Sequence, residues 1–384
     1  MNNSFISSGK KLGILGGGQL GKMLLQCTNT WDISTKVLEP STESPCKNLC
    51  NEFIQGSLHD FDSVYNFGKK CDVLTIEIEH VNVEALKKLS AEGVKVHPSP
   101  NALEIIQDKG LQKSFYQKNN FPTSDFVLCE NKTEALVVAE KWNYQAVQKS
   151  RKAGYDGKGV FVLNEKNDAD NLMDLPCVME RKVKLKSEIA MIVARNENDE
   201  VRCYPAVEMD FHEGANMLDL LLFPAQIDES ITKQAEQLSI KLIRAFDICG
   251  LLAVEFFIDE NNQLLINEVA PRPHNSGHQT IESSITSQYE QHLRGILNLP
   301  LGSTQIKMPS AMVNLLGAKG FEGDVIYEGM EQCMQKDGVK IHIYGKKKTK
   351  PFRKMGHVTV LHHDIKEAKK TAEWVKQNII VKSL

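Results

Sequence analysis

Over the first hundred residues, short apolar runs alternate with segments of helical spacing, and few folds satisfy that alternation. Lys11–Leu15, residues 36–38, Val73–Ile76 and residues 94–97 read as strands. Residues 21–27, residues 61–67 and Val83–Ala91 read as the helices between them. Strands joined through helices run parallel, which predicts an α/β unit with helices on both faces of the sheet. The stretch HPSPN (97–101), with two prolines and an asparagine, ends that unit.

A chain of 384 residues is too long for one core of ordinary size. After the break the pattern becomes α+β. Helices are expected at 103–118, Lys132–Lys141, 231–246, from Ser283 to 298, and at 364–376. Strands are expected at 145–149, Val160–Leu163, 177–180, 189–194, 201–207, 252–258, 263–268, 311–315, 340–344 and 357–361. DENN joins 252–258 to 263–268 as a hairpin.

The net charge of −3 gives no support to a broad nucleic-acid-binding surface. Nine scattered cysteines form neither a disulfide framework nor a zinc pattern; Cys46 and Cys50 have no second pair at zinc spacing. The start MNNSFISSGKK has no apolar signal core, and no run approaches the roughly 20 apolar residues of a membrane span. The expectation is a soluble cytoplasmic protein without structural metal, nucleic-acid partner or membrane partner.

GILGGGQLG (13–21) matches G-x-G-x-x-G through Gly16, Gly18 and Gly21, with a strand before it and a helix after it. Glu39 lies at the end of the next strand, where a ribose-binding carboxylate of a dinucleotide fold would sit. The residues therefore allow an NAD site, another anion held on a helix N-terminus, or a tight turn serving only packing. A second glycine loop, KSRKAGYDGKGV (149–160), carries four basic residues without a Walker signature. It can close over a triphosphate with Lys149 as a point charge, or it is a solvated hairpin. VMERKVKLKSE (178–188) offers backbone groups to a base edge and Glu188 to a ribose, or else is an exposed strand edge.

The acidic pair is sharper. Glu255 lies in an otherwise apolar strand, and Asn267 and Glu268 end its partner. Carboxylates in such surroundings are costly unless partnered. Two facing carboxylates with an amide oxygen suit magnesium held against nucleotide phosphates; the competing account is a buried ion pair with Arg272. PRPHNSGH (271–278) follows directly and gathers Arg272, His274, Asn275 and His278 in a loop at a strand end.

GGGQLGKM, TIEIEHV, GYDGKG, AVEFF, INEVAPRPHNSGH and RKMGHV, in that order, resemble the 5-(carboxyamino)imidazole ribonucleotide synthases, ATP-grasp ligases of purine biosynthesis. The resemblance runs from about residue 10 to 380. It implies an ATP-grasp fold behind a Rossmann-like pre-ATP-grasp domain, divided as residues 1–105, a central lid at 106–187, and a C-terminal domain with a β-rich extension at 188–384. ATP would be met by Lys109, Lys149, the lid (Gly154, Tyr155, Asp156, Gly157, Lys158, Gly159, Val160), the hinge (Glu180, Arg181, Lys182, Val183), Glu188, His212, Asn267 and Glu268. Magnesium would be held by Glu255 and Glu268. The ribonucleotide would be met by Gly18, Gln19, Leu20, Glu77, Tyr155, Lys158, Arg272, His274, Asn275, Lys346, Arg353 and Lys354. Arg272, Tyr155, Glu77 and His274 would serve the chemistry.

The family pattern is broken at Lys109 and Lys158, where arginine is usual, and at Lys350 and Phe352, so a bidentate fork is replaced by a point charge or lost. The implied reaction joins bicarbonate, ATP and aminoimidazole ribonucleotide through carboxyphosphate, in a homodimer. A formate-using ATP-grasp transformylase, an NAD-dependent oxidoreductase and a non-catalytic nucleotide binder are the alternatives.

Overall fold

The computed structural model describes residues 5, 6, 8–152, 159–211 and 218–384, without the side chain of Phe211. The first unit is β1 (Lys11–Leu15), α1 (Gln19–Thr30), β2 (Ser34–Glu39), β3 (Glu52–Gln55), α2 (Phe61–Gly68), β4 (Val73–Ile76), α3 (Val83–Ala91) and β5 (Lys95–His97). Its strands form a parallel sheet in the order β3-β2-β1-β4-β5. The strand order reverses between β1 and β4, and ligands of open α/β sheets bind in the crevice at such a switch point. β3 (EFIQ) was not visible in the sequence; it is short, half-buried and at the sheet edge.

The helix expected over 103–118 is two helices, α4 (Pro100–Ile106) and α5 (Lys109–Lys118). Asp108 separates them. Its Oδ1 accepts the Gly110 and Leu111 N–H groups, so the side chain caps a new helix where the periodicity alone showed a continuous one.

The next unit contains β6 (Phe126–Cys129), α6 (Lys132–Lys141), β7 (Ala146–Ser150), β8 (Val160–Leu163) and β9 (Cys177–Arg181), its strands forming a sheet in the order β6-β9-β7-β8. The chain then enters the largest sheet through β10 (Leu185–Arg195), β11 (Val201–Cys203), β12 (Val207–Phe211), β13 (Leu218–Phe223), β14 (Gly250–Asp259) and β15 (Leu264–Ala270). The single strand expected over 201–207 is broken, as Pro205 between β11 and β12 can donate to no ladder. α7 (Glu229–Ala245) covers one face; Ile231, Leu242 and Ile243 pack against Val254, Phe256 and Ile266.

The helix expected from Ser283 to 298 starts later, as α9 (Gln288–Ile296) capped by Ser287, and the short α8 (Thr280–Ser283) precedes it. The chain ends in β16 (Ser310–Leu316), β17 (Gly323–Glu328), α10 (Met330–Met334), β18 (Val339–Ile343), β19 (Lys348–Thr349), β20 (Lys354–Leu361), α11 (Ile365–Asn378) and β21 (Ile380–Ser383). β16, β20 and β18 extend the large sheet, whose path is β15-β14-β10-β12-β13-β16-β20-β18. One continuous sheet therefore carries the hairpin β14–β15 at one end and the basic segment 346–354 at the other. Among the described residues, no helix is long and apolar enough to cross a membrane.

Candidate active site

The glycine loop after β1 meets two carboxylates. α1 opens at Gly18 without a side-chain cap, so its first N–H groups need partners from elsewhere. Glu77, just beyond β4, supplies one: its Oε1 accepts the Leu20 N–H at 3.2 Å, and Gly18 N–H bonds to the same side chain. Glu39 accepts the Gly17 N–H at 2.8 Å and the Ser41 N–H at 3.1 Å. The loop closes tightly over Glu77. A Cβ at Gly18 would lie 2.4 Å from Glu77 Oε1, and one at Gly16 (φ +102°) 2.7 Å from Oε2. The donors that a dinucleotide pyrophosphate would use are engaged by protein carboxylates. Burial raises the Glu77 carboxyl above the usual range, against the pull of Arg272.

In the large sheet, Glu255 on β14 and Glu268 on β15 are register partners. The next pair is Phe256 with Ile266, so Asn267 is an extra residue and the strand bulges there. A bulge re-aims side chains. Asn267 Oδ1 here accepts from Lys149 Nζ at 2.9 Å. Lys109 Nζ approaches Glu268 Oε2 to 3.3 Å, and Glu268 keeps 44% of its side-chain surface. Glu188 on β10, two strands from Glu268, is pushed up to about 7 by burial.

Behind this pair is a buried chain of charges. Glu180 on β9 is 3% exposed. Its Oε1 lies 3.0 Å from Lys149 Nζ and its Oε2 3.0 Å from Lys113 Nζ. Ser124 Oγ donates to Oε2 at 2.6 Å. Burial pushes the Glu180 carboxyl up, but the two lysines and Ser124 outweigh it and hold it at about 2. Two ammonium groups share one carboxylate, which leaves the cluster with net positive charge. The Glu180 side chain is thus turned inward. The hinge N–H groups of Arg181 and Lys182 donate to Asp125 and Gln145 carbonyls, so a base edge would meet carbonyl oxygens of those two residues.

The 271–278 loop closes the other side. Arg272 forms its ion pair with Glu79, at 2.8 Å, so the sequence-level alternative of an Arg272 partner for the acidic pair gives way to Lys109 at Glu268 and His274 at Glu255. His274 Nε2 lies 3.7 Å from Glu255 Oε1, and its Nδ1 is 2.9 Å from Ser276 Oγ. Both amide atoms of Asn275 are buried without a hydrogen-bond partner. Buried amides without partners are rare, and this one points to a missing ligand. From the far end of the sheet, Lys354 acts electrostatically on both Glu255 and His278. Lys346 Nζ donates to the Lys354 carbonyl at 2.8 Å, and Arg353 donates to the Lys348 carbonyl at 2.7 Å. Gly154, Tyr155, Asp156, Gly157, Lys158 and His212 lie outside the described residues.

Among the described residues, no group of three or more His, Cys, Asp or Glu side chains could hold a metal ion alone. The Glu255–Glu268 pair fits a divalent ion whose remaining ligands are phosphate oxygens. Burial and the like charge of Glu268 and Glu188 push Glu255 up to about 8, a repulsion that a cation between the carboxylates would relieve.

Residues 9–107 match the model of a ribonucleotide synthetase preATP-grasp domain, and 114–289 that of an ATP-grasp domain. Residues 310–371 match that of a phosphoribosylaminoimidazole carboxylase C-terminal domain. The structure of N5-carboxyaminoimidazole ribonucleotide synthetase from Thermotoga maritima is 40% identical, covers 98% of this chain and 100% of its own, and superposes with a TM-score of 0.91. This chain belongs to the N5-carboxyaminoimidazole ribonucleotide synthase family. Another member, from Aspergillus clavatus, was solved with ADP and 5-aminoimidazole ribonucleotide; it is 34% identical, with a TM-score of 0.87 and coverage of 98% and 99%. The phosphoribosylaminoimidazole carboxylase of Candida albicans is 37% identical over 381 residues, 95% of this chain. The chain spans 66% of that protein's length.

Within this synthase family frame, the residues missed in the sequence are the supports. Lys113, Ser124 and Gln288 touch site residues without lying in any quoted motif, and Glu79 does so from within TIEIEHV without having been given a role. Only Glu79 had a signal, in the acidic repeat of TIEIEH. Lys113 sits on a helix far from the glycine loops in sequence and meets Glu180 only through the fold.

Proposed function

We propose that this chain carboxylates the exocyclic amine of 5-aminoimidazole ribonucleotide with ATP and bicarbonate in de novo purine biosynthesis. The products are 5-(carboxyamino)imidazole ribonucleotide, ADP and phosphate. The observation that carries the reading is the acidic pair Glu255–Glu268, flanked by Lys109 and Lys149 on one side and His274 on the other. A bicarbonate oxygen attacks the γ-phosphorus and the bond to the β-phosphate oxygen breaks, giving carboxyphosphate and ADP. The amine then bonds to the carboxyphosphate carbon, phosphate leaves and the amine gives up a proton.

Glu255 and Glu268 would hold magnesium, which supplies charge neutralisation on the transferring phosphoryl group when bound. Lys149, backed by Glu180 and Lys113, holds a fixed positive charge beside Asn267. Glu188 and the 180–183 hinge are assigned to the nucleoside. Arg272 holds the carboxylate-bearing intermediate, with its guanidinium fixed by Glu79. His274 and Asn275 line the same loop, and the unpartnered amide of Asn275 supports a small polar ligand there. Glu77 orients the imidazole, and Lys346, Arg353 and Lys354 take the ribose phosphate. The glycine loop 154–160 is assigned to the triphosphate. Exclusion of water preserves carboxyphosphate. No nucleophilic side chain is required, because the phosphoryl group activates the carbonyl carbon. The proposal includes a cytoplasmic homodimer.

The test is ADP release in the presence of ATP and bicarbonate, with and without aminoimidazole ribonucleotide. Strong dependence on the ribonucleotide supports the assignment. Formation of ADP indifferent to it, or substitution of formate for bicarbonate without loss, would overturn it.

A further inference from the structure

The 271–278 loop has an unusual anchoring problem. Prolines at 271 and 273 remove two N–H donors, so a strand ladder cannot hold this stretch. His274 nevertheless needs a fixed main chain, since its ring spans from Ser276 Oγ to Glu255.

Gln288, the first residue of α9, is fully buried. Its Oε1 accepts the His274 N–H at 2.8 Å, and its Nε2 donates to the His274 carbonyl at 2.8 Å. One carboxamide thus takes both main-chain groups of one residue, as a neighbouring strand would. The same Nε2 lies 3.1 Å from His278 Nδ1, which Tyr289 Oη also approaches at 3.0 Å. A second tie holds the loop end: Gln288 N–H donates to Thr280 Oγ1, and that hydroxyl donates to the Gly277 carbonyl. The fit leaves no room, as a Cβ on Gly277 would lie 2.4 Å from Gln288 Oε1 and 2.2 Å from Ile192 Cδ1.

We propose that Gln288 is a positioning residue for this reaction: its carboxamide fixes the main chain of His274 and through it the aim of the imidazole at Glu255. The inference rests on the assignment of His274 to the ribonucleotide side of the chemistry, where it would orient the imidazole of the substrate. Only glutamine meets the geometry. Asparagine is one methylene short, methionine matches the volume but has neither group, and glutamate keeps an acceptor but lacks the donor.

The experiment compares Gln288→Met, Gln288→Glu, His274→Asn and each double variant with the wild-type chain. The readouts are kcat, the KM values for ATP and the ribonucleotide, and melting temperature. A misaimed catalytic group costs about a hundredfold, so each Gln288 variant is expected to lose about ten- to a hundredfold in kcat/KM for the ribonucleotide with KM for ATP unchanged. In the His274→Asn background the Gln288 changes should cost less than twofold more, because they act through a ring that is gone. Full multiplication of the two losses would overturn the proposal, as would an active Gln288→Met protein. If His274→Asn itself keeps wild-type kinetics, the site assignment fails instead, and the two failures are distinct.

The glutamate variant supplies a readout that packing alone would not move. A protonated carboxyl can again donate to the His274 carbonyl while accepting from its N–H, and burial raises the pKa at which this happens. The titratable groups facing it are His274, His278 and Tyr289, and the wild-type protein has all three. The ratio of Gln288→Glu to wild-type activity should therefore rise as pH falls from about 9 to about 6, while the Gln288→Met ratio stays flat. A flat Gln288→Glu ratio would refute the hydrogen-bonding role, even if Gln288→Met proves too unstable to assay.

Discussion

Glu255 and Glu268 face each other across β14 and β15, yet their carboxyls are driven in opposite directions. Glu255 is pushed up to about 8, first by burial and then by Glu268 and Glu188. Burial acts on Glu268 in the same sense, but Lys109 and Lys149 outweigh it and hold that carboxyl below the usual range. At neutral pH the pair therefore shares about one negative charge until a cation arrives. On the proposed reading this pair holds the cation that phosphoryl transfer uses, and both carboxylates must be ionised to do so.

Replacing Glu268 by glutamine removes the member of the pair that stays ionised. Lewis-acid stabilisation is worth several kcal/mol, and each 1.4 kcal/mol is about a decade in rate. Glu268→Gln should lose at least about a hundredfold in kcat and require more magnesium for half-maximal rate. A titration of ADP release against magnesium checks both; unchanged dependence on the metal refutes the assignment.

Glu255→Gln should separate stability from activity. The folded-state pKa of Glu255 is raised from 4.5 to about 8, so the folded chain keeps a proton that the unfolded chain loses across that window. Stability contributed by this group is thus present below about pH 4.5 and declines as pH rises toward 8. Glutamine does not ionise. In magnesium-free buffer the variant should match the wild type at pH 5 and melt higher at pH 8, while losing activity. Melting curves at the two pH values decide it.

Much of this arrangement was legible in the sequence, because the residues assigned to the chemistry also break local rules. Glu255 is an acid inside the apolar run LLAVEFF, and PRPHNSGH crowds polar groups between prolines and glycine. The parallel unit was readable from its apolar periodicity. Supports were not. Lys113 occupies an ordinary helical position, and its meaning comes from Glu180, a partner 67 positions away that lies 3.0 Å from it in the fold. The helix break at Asp108 was hidden for a related reason, since apolar spacing runs on through a cap that only side-chain hydrogen bonds reveal. GILGGGQLG fitted a dinucleotide fingerprint in every local respect, Glu39 included. What occupies its N–H groups is decided by tertiary structure, where Glu39 accepts from Gly17 and Glu77 from Leu20.

Gly18→Ala tests that last point. The added Cβ would lie 2.4 Å from Glu77 Oε1, so the carboxylate must move. If Glu77 orients the imidazole, kcat/KM for the ribonucleotide should fall about tenfold or more, within the range a misplaced group costs, while KM for ATP is unchanged. Steady-state kinetics with each substrate varied in turn gives the answer. A rise in KM for ATP alone would instead place the nucleotide on this loop.

The Lys113–Glu180–Lys149 cluster makes the strongest stability prediction. With its pKa held at about 2, Glu180 contributes stability that is fully present above the ordinary carboxyl value of 4.5 and lost as pH falls through 2. Glu180→Gln leaves two buried ammonium groups against a neutral amide. Breaking a buried pair in this way costs about 3–5 kcal/mol. Lys113 is already pushed down to about 8 by burial, against the pull of Glu180, and should lose its proton more readily once that carboxylate is gone. Adding Lys113→Met to Glu180→Gln should therefore recover part of the lost stability in urea unfolding at pH 7, since an apolar side chain of similar length replaces an unpaired charge. Activity should not return with it, because Lys149 would still lack the carboxylate that lies 3.0 Å from its ammonium group. Recovery of both together would mean that Glu180 serves the fold alone.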